Sequence, residues 1–276
     1  MINPVAIITG SSRGIGRSIA HKLASMNYNV VLAAKSTKDS KNLPGTIYSV
    51  ADEIKEKYNV DVLPIPTDIR KDEDISNLVQ ETINNFDRVD VLINNASALH
   101  WVPTIQTDIK KYDLIQQINT RGSFMLSREV LPYMEKQNNG HIIMHSPPID
   151  LNNIGGFTSY MISKYGMSMA ALGIAQEYKD KNICANTIWP ATMIESYATI
   201  NHNLGNRSLW RKADIISDSI ELMLQEDPKK FSGNMLIDEN YLLSKNVTDL
   251  EKYRCVAEVE PPKMSKLWKN KNYFKN

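Results

Sequence analysis

Short apolar runs that alternate with segments of helical period predict an α/β fold for this chain of 276 residues. The expected architecture is a doubly wound parallel sheet of about seven strands, with helices on both faces and a single domain. Three observations carry that expectation. Apolar runs of strand length stand at 5–9, 30–33, 60–65, 89–93, 141–145, 183–188 and 235–237. Helical periodicity fills the gaps, at 15–26, 46–58, 72–86, 108–137, 159–179 and 212–225. Strands separated by helices must run parallel if each crossover is right-handed. The third observation is a glycine-rich turn directly after the first strand.

That turn reads Thr9-Gly10-Ser11-Ser12-Arg13-Gly14-Ile15-Gly16, following Val5-Ala6-Ile7-Ile8. A buried strand that passes through three glycines into an amphipathic helix is built to hold a pyrophosphate. Gly10 permits the tight turn, Gly14 lets backbone approach phosphate oxygens, and Gly16 allows helix and strand to pack closely. Ser12, Arg13 and Ile15 share the loop, where amide N–H groups and the helix dipole favour an anion. The expected fold is therefore Rossmann-type, with a dinucleotide as its ligand.

Composition excludes other classes. The chain is 42% hydrophobic, enough for a substantial core, and its formal net charge of +1 gives no field that would recruit nucleic acid or an anionic membrane. Cys184 and Cys255 lie far apart and show no metal-ligand spacing, so no metal is expected. Cys184 sits in the apolar stretch 183–188 and reads as a buried thiol of a reducing compartment. No apolar run approaches the ~18 residues of a membrane helix. The first strand begins almost at Met1, which leaves no room for a leader, and the expected location is the cytoplasm. Residues 35–45 read as a polar surface loop. Residues 1–243 are expected to form the dinucleotide-binding catalytic domain, and the charged segment 244–276, with Pro261-Pro262, an extended or wrapping tail.

The residues after each strand decide which dinucleotide fits. An acidic side chain past the second strand would bond the adenosine 2′-hydroxyl of NAD, whereas cations accept a 2′-phosphate. Here the strand ends Leu32-Ala33-Ala34-Lys35. Lys35 and Arg13 both stand where that phosphate would lie, which favours NADP(H) over NAD(H); as solvated loop cations they would have no such role. Asp68, after the third strand, suits either the adenine amino group or a helix N-cap. Asn94-Asn95-Ala96-Ser97 follows the fourth strand, where the amides of Asn94 and Asn95 can tie strand ends together and, with Ala96, flank a cofactor, although the same residues also make an ordinary turn.

Tyr160 and Lys164 are four apart on an expected helix, hence on one face. An ammonium beside a phenol lowers the phenol's pKa and fits it to exchange a proton with a substrate oxygen. Tyr241 and Lys245 repeat the spacing beyond the last strand and read as a chance copy. The pair at 160 follows a strand and the loop containing Ser146, where the carboxyl ends of parallel strands gather ligands.

With Thr9–Gly16, Asn94–Ala96, Asn119, Ser146, Tyr160 and Lys164 in order over residues 4–240, the chain resembles the short-chain dehydrogenases/reductases. The resemblance implies a catalytic set of four. Tyr160 is the acid/base, and Lys164 lowers its pKa and holds the nicotinamide ribose. Asn119 anchors a water that relays protons to Lys164, and Ser146 polarises the substrate carbonyl. Two departures bear on it. The family's serine stands thirteen residues before the tyrosine, a place held here by Pro147, which donates no hydrogen bond. In Trp189-Pro190-Ala191-Thr192 an alanine replaces the glycine that usually follows the proline; Pro190 and Thr192 are still expected at the nicotinamide.

Residues 192–206 occupy the position of a specificity lid, and Met193, Ile194, Ile200 and Leu204 suggest an apolar wall. His100 and His202 are assigned no catalytic role. A stripe of Ser163, Gly166, Ala170 and Gly173, with Met167, Ala171 and Ile174 below, predicts a helix buried on two fronts. One is the sheet; the other is a second subunit, as the resemblance to a family of homodimers and homotetramers implies, or else the chain's own core under the tail. The sum is an NADP(H)-dependent oxidoreductase acting on the carbonyl or alcohol of a medium-sized apolar substrate. A cofactor-binding sensor or scaffold with little turnover, and a reductase of acyl or enoyl thioesters, are the alternatives.

Overall fold

The computed structural model describes residues 3–41, 43–152 and 154–265, so the last part of the expected tail, 266–276, lies outside the described residues. In chain order the first half comprises β1 (Val5–Thr9), α1 (Gly14–Ser25), β2 (Asn29–Ala34), α2 (Ile47–Lys57), β3 (Val62–Pro66), α3 (Asp72–Phe86), β4 (Val91–Asn94) and α4 (Ile109–Ile115). π-Helical turns over Gln116–Gly122 lead into α5 (Ser123–Gln137), β5 (Gly140–His145), α6 (Thr158–Glu177) and β6 (Ile183–Trp189). Then follow β7 (Met193–Ile194), α7 (Tyr197–Asn201), β8 (Trp210–Arg211), α8 (Asp214–Met223), β9 (Met235–Ile237) and α9 (Asp238–Ser244).

Seven strands pair in the order β3-β2-β1-β4-β5-β6-β9, and every pairing is parallel. Alternation along each strand divides the core into two layers. Ala6 and Ile8 of β1 pack with Ile19, Leu23, Val50 and Ile216 on the side of α1, α2 and α8. Val5 and Ile7 face Leu78, Leu126, Val130 and Met167 on the side of α3, α5 and α6. A sheet covered on both faces needs strands that are apolar throughout, which is why β1 and β6 are buried along their whole length. The strand order reverses between β1 and β4, and this switch point opens the crevice in which α/β sheets bind ligands.

The expected single helix over 108–137 is interrupted. Between α4 and α5 the backbone widens into π turns, and the side chains there bond sideways rather than along the helix. Gln116 Nε2 donates to the Ser159 carbonyl at 3.2 Å, and Thr120 Oγ1 donates to the Ser163 carbonyl at 2.8 Å. Such bulges concentrate at functional sites because they re-aim side chains. Gly166 of α6 completes the contact: a Cβ there would lie 2.5 Å from Thr120 Cγ2. The small-residue stripe thus partly serves this internal packing, since Ser163 and Gly166 face the π turns, while Met167, Ala171 and Ile174 join the core.

Residues 245–265 lie against the body. Tyr253 is buried and donates to Asp218 Oδ2 at 2.6 Å, Lys212 N–H donates to the Tyr253 carbonyl at 2.7 Å, and Met264 N–H donates to the Ala191 carbonyl at 2.8 Å.

Candidate active site

The glycine turn has the conformation its sequence requires. Gly10 and Gly14 take φ of 67° and 53°, in the left-handed region. A Cβ on Gly16 would sit 2.3 Å from the Gly10 carbonyl oxygen, so no larger residue fits. Helix α1 begins at Gly14 with no side-chain cap and no acid in its first turn. Its leading amides therefore have no capping side chain and face the cleft beside Ser12 and Ile15, as an anion site requires.

Lys35 follows β2 and lines the cleft with Arg13 and Ser36. The Arg13 guanidinium is also a structural tie, since Nη2 donates to the carbonyls of Leu43 at 3.1 Å and Gly45 at 2.6 Å, and Nε to that of Pro44 at 3.1 Å. Asp68 lines the cleft but does not cap α3, whose N-cap is Lys71. Its carboxylate is gripped by Arg70, whose hydrogen bonds push the acid's pKa down to about 2.

Asn94 does not reach the cleft. Alternation along β4 points it into the core, where its Nδ2 donates to Ser127 Oγ at 3.0 Å. Its neighbour Asn95, the second amide expected there, lines the cleft. Asn95 Nδ2 donates to the Thr9 carbonyl at 2.9 Å, and Asn95 N–H and Ala96 N–H donate to Thr9 Oγ1, both at 3.0 Å. This knot fixes the loop after β4 against the glycine turn.

Tyr160 and Lys164 lie one turn apart on α6, both lining the cleft and only 5% and 1% exposed. Lys164 Nζ donates to the His145 carbonyl oxygen at 2.8 Å and stands 5.5 Å from the centre of the Trp189 ring. Burial lowers its pKa from the ordinary 10.5 to about 7. The expectation that Lys164 depresses the phenol is corrected here. Burial drives the Tyr160 pKa upward, and the opposing influence is a hydrogen bond with the Ser97 side chain. The ammonium, itself desolvated and turned to a backbone carbonyl, does not offset the cost of a buried phenolate.

Contrary to expectation, Ser146 does not line the cleft: it is 0% exposed and accepts a hydrogen bond from Ser168 Oγ at 3.0 Å. Pro147 stands at the family position, whereas Ser97, exposed and lining the cleft, is the hydroxyl whose influence lowers the phenol's pKa. Asn119 is buried within the π turns. Its Oδ1 accepts from Ala98 N–H at 2.8 Å, and its Nδ2 donates to the Ala98 carbonyl at 3.0 Å and to Ser163 Oγ at 2.9 Å. The amide clamps the loop bearing Ser97 to α6. The second tyrosine–lysine pair lies elsewhere: Tyr241 donates to Glu226 at 3.1 Å, Lys245 pairs with the same carboxylate, and neither lines the cleft.

The family model for short chain dehydrogenases matches residues 4–203. The chain belongs to that family. It is 41% identical over 249 residues to the hydroxysteroid dehydrogenase-like protein 2 of Bos taurus, an alignment covering 89% of this chain and 59% of the relative. The chain thus spans about three fifths of the length of the curated relatives it matches. A putative dehydrogenase from Xanthomonas campestris superposes with a TM-score of 0.91 at 34% identity, covering 95% of this chain and 97% of that one. A metagenomic short-chain oxidoreductase in complex with NADP shares the fold at a TM-score of 0.70 and 24% identity, covering 86% and 96%.

In this member of the family the cleft encloses about 740 Å³, a size suited to a nucleotide and a small organic substrate. Pro190 and Thr192 border it at the end of β6, and the backbone there is held by Asp238, which accepts from Ala191 N–H at 2.8 Å. Around Tyr160 the cleft is lined by an apolar group of Trp101, Trp189, Met193, Leu204 and Met264. Ile194 lines it too, whereas Ile200, also expected there, is exposed and does not. His145 is held neutral, its pKa lowered to about 3 by burial and by Lys164. Among the described residues no group of acids, histidines and cysteines could hold a metal ion, and no helix is long and apolar enough to cross a membrane.

Proposed function

We propose that the protein is an NADP(H)-dependent oxidoreductase that moves a hydride between the nicotinamide and the carbonyl or alcohol carbon of a medium-sized apolar substrate. The observation that carries this reading is a buried phenol and ammonium on adjacent turns of α6, opening into the cleft that begins at the glycine turn. The fit to a dinucleotide rests on that turn, where a Cβ at Gly16 would fill the cradle and the α1 amides have no cap.

The amides of Gly14, Ile15 and Gly16, with Ser12, hold the pyrophosphate, and Lys35 and Arg13 provide the positive charge for a 2′-phosphate. Asp68, Asn95 and Ala96 flank the adenosine and nicotinamide halves, and Pro190 and Thr192 close on the carboxamide. The bound cofactor supplies or takes up the hydride. Tyr160, kept protonated by its burial, gives its proton to the carbonyl oxygen as the carbon accepts the hydride, so that C=O becomes CH–OH. Ser97 would hydrogen-bond the phenolate left behind, and a proton taken up from solvent and passed through the Lys164 ammonium would restore both the phenol and the ammonium. Exposed Phe124, Ile162 and Met169 on α5 and α6 are the proposed faces of a homodimer or homotetramer. The proposed location is the cytoplasm.

Withdrawal of Ser146 from the cleft favours a second reading, a cofactor-binding module with little turnover. Loss of NADPH absorbance across a panel of apolar aldehydes and ketones separates the two. The reductase reading expects turnover with NADPH preferred to NADH, and tight NADPH binding with no turnover on any carbonyl selects the second.

A further inference from the structure

One lining residue of the cleft, Met264, comes from a segment that follows the last helix over the sheet. Met264 is 5% exposed, lines the cleft and packs in one apolar group with Trp189, Met193 and Trp210. Its N–H donates to the Ala191 carbonyl at 2.8 Å, and Lys263 forms an antiparallel bridge with Thr192. The strap thus adds backbone pairing to the very residues that leave β6 for the nicotinamide end.

An ion network centred on a buried arginine anchors it. Arg211, at the end of β8 and with its side chain 2% exposed, pairs through Nη1 with Glu239 at 2.8 Å and through Nη2 with Glu260 at 2.5 Å. Glu260 also takes Arg254 at 2.7 Å, and Glu239 takes Lys263 at 2.7 Å. The Arg211 carbonyl accepts from Glu195 N–H at 2.8 Å, so one arginine joins the specificity loop, α9 and the strap. The buried Arg211–Glu239 pair holds one geometry rather than adding much net stability, and the half-exposed Glu260 and Lys263 attach the strap to it. A flexible thioether at the tip suits a wall that meets apolar chains.

Resting on the reductase reading above, we infer that the strap 254–264 is the end wall of the substrate site and that Met264 sets how long an apolar substrate the cleft accepts. Shortening the side chain opens room in line with the cleft, and enlarging it takes room away. The Arg211–Glu260 pair acts as a positioning device, adding to the backbone pairing at Ala191 and Thr192 a second tie that limits how far the wall moves from Tyr160.

The test is binding of n-alcohols, butanol to dodecanol, to the full chain, followed by tryptophan fluorescence from Trp101 and Trp189 at the cleft. Wild type is expected to bind tightest at one chain length. Met264→Ala should move that optimum about two to three carbons longer and Met264→Phe should move it shorter, while Met264→Leu leaves it in place. Glu260→Gln should flatten the dependence on length. Superimposable profiles for wild type, Met264→Ala and Met264→Phe overturn the inference, as does a wild type that binds none of the alcohols. NADPH oxidation with butanal to dodecanal, measured in parallel, separates the two claims. Length sorting without turnover removes the reductase reading alone, and turnover with unmoved profiles removes the strap alone.

Discussion

Lys164 Nζ rests 2.8 Å from the carbonyl oxygen of His145, at the end of the strand that leads into Ser146. The contact ties the catalytic helix to the centre of the sheet, and it holds the ammonium where water does not reach. Its pKa of about 7 follows from that desolvation.

The depressed pKa makes a stability prediction with a definite sign. Between pH 7 and about 10.4 the unfolded chain keeps the Lys164 proton while the cofactor-free folded state has lost it, so this group's contribution to stability rises with pH across that window. Below pH 7 both states are protonated and the penalty is constant, at about 1.4 kcal/mol for each unit of depression. Lys164→Met removes the penalty. Urea unfolding should show the variant gaining most relative to wild type at pH 6, with the gain declining towards pH 10. A difference that does not change with pH contradicts the assignment.

On the reading proposed above, the hydroxyl that serves the phenol is Ser97, which lines the cleft, rather than Ser146, which does not. Ser97→Ala should lower kcat about tenfold to a hundredfold, as expected for losing one hydrogen bond to a charged transition state, with the Kd for NADPH unchanged. Ser146→Ala should stay within about threefold of wild type, since its partner is Ser168 and neither lines the cleft. Steady-state kinetics with the better aldehyde decides, and the reverse order of effects would restore Ser146 to the site.

Cofactor preference is read at Lys35. Replacing this cation by aspartate should raise the KM for NADPH by about ten- to a hundredfold and leave or improve that for NADH, because the carboxylate repels a 2′-phosphate and bonds a 2′-hydroxyl. Equal KM values for NADPH in variant and wild type would remove Lys35 from the site. Arg13→Ala should cost stability as well as affinity, since its guanidinium also holds the carbonyls of residues 43–45.

The sheet was legible because strands buried on both faces must be apolar throughout. Runs such as Val5–Thr9 and Ile183–Trp189 carry that requirement openly. The glycine turn and the pair at Tyr160 and Lys164 were legible for a related reason, since their chemistry needs particular residues at short spacing. What escaped was set by distant partners. The π turns exist because Gln116, Asn119 and Thr120 bond to α6 and to Ala98, and no local pattern announces them. Which of Asn94 and Asn95 meets the cleft was not legible, because β4 is buried on both faces and Leu92 and Ile93 are equally apolar. The position of the strap depends on Arg211 meeting Glu260 and Lys263 meeting Glu239, pairs invisible until the chain is folded.

The central claim is that the Tyr160 phenol moves the substrate's proton, and the most direct measurement is single-turnover oxidation of bound NADPH by Tyr160→Phe beside Tyr241→Phe. The first substitution deletes one oxygen from the cleft, whereas Tyr241 belongs to the second pair, bonded to Glu226 and away from the cleft lining. The account predicts NADPH bound as in wild type and a rate lowered by at least about a thousandfold in Tyr160→Phe, with Tyr241→Phe reacting at the wild-type rate. A Tyr160→Phe enzyme that turns over as fast as wild type would contradict it.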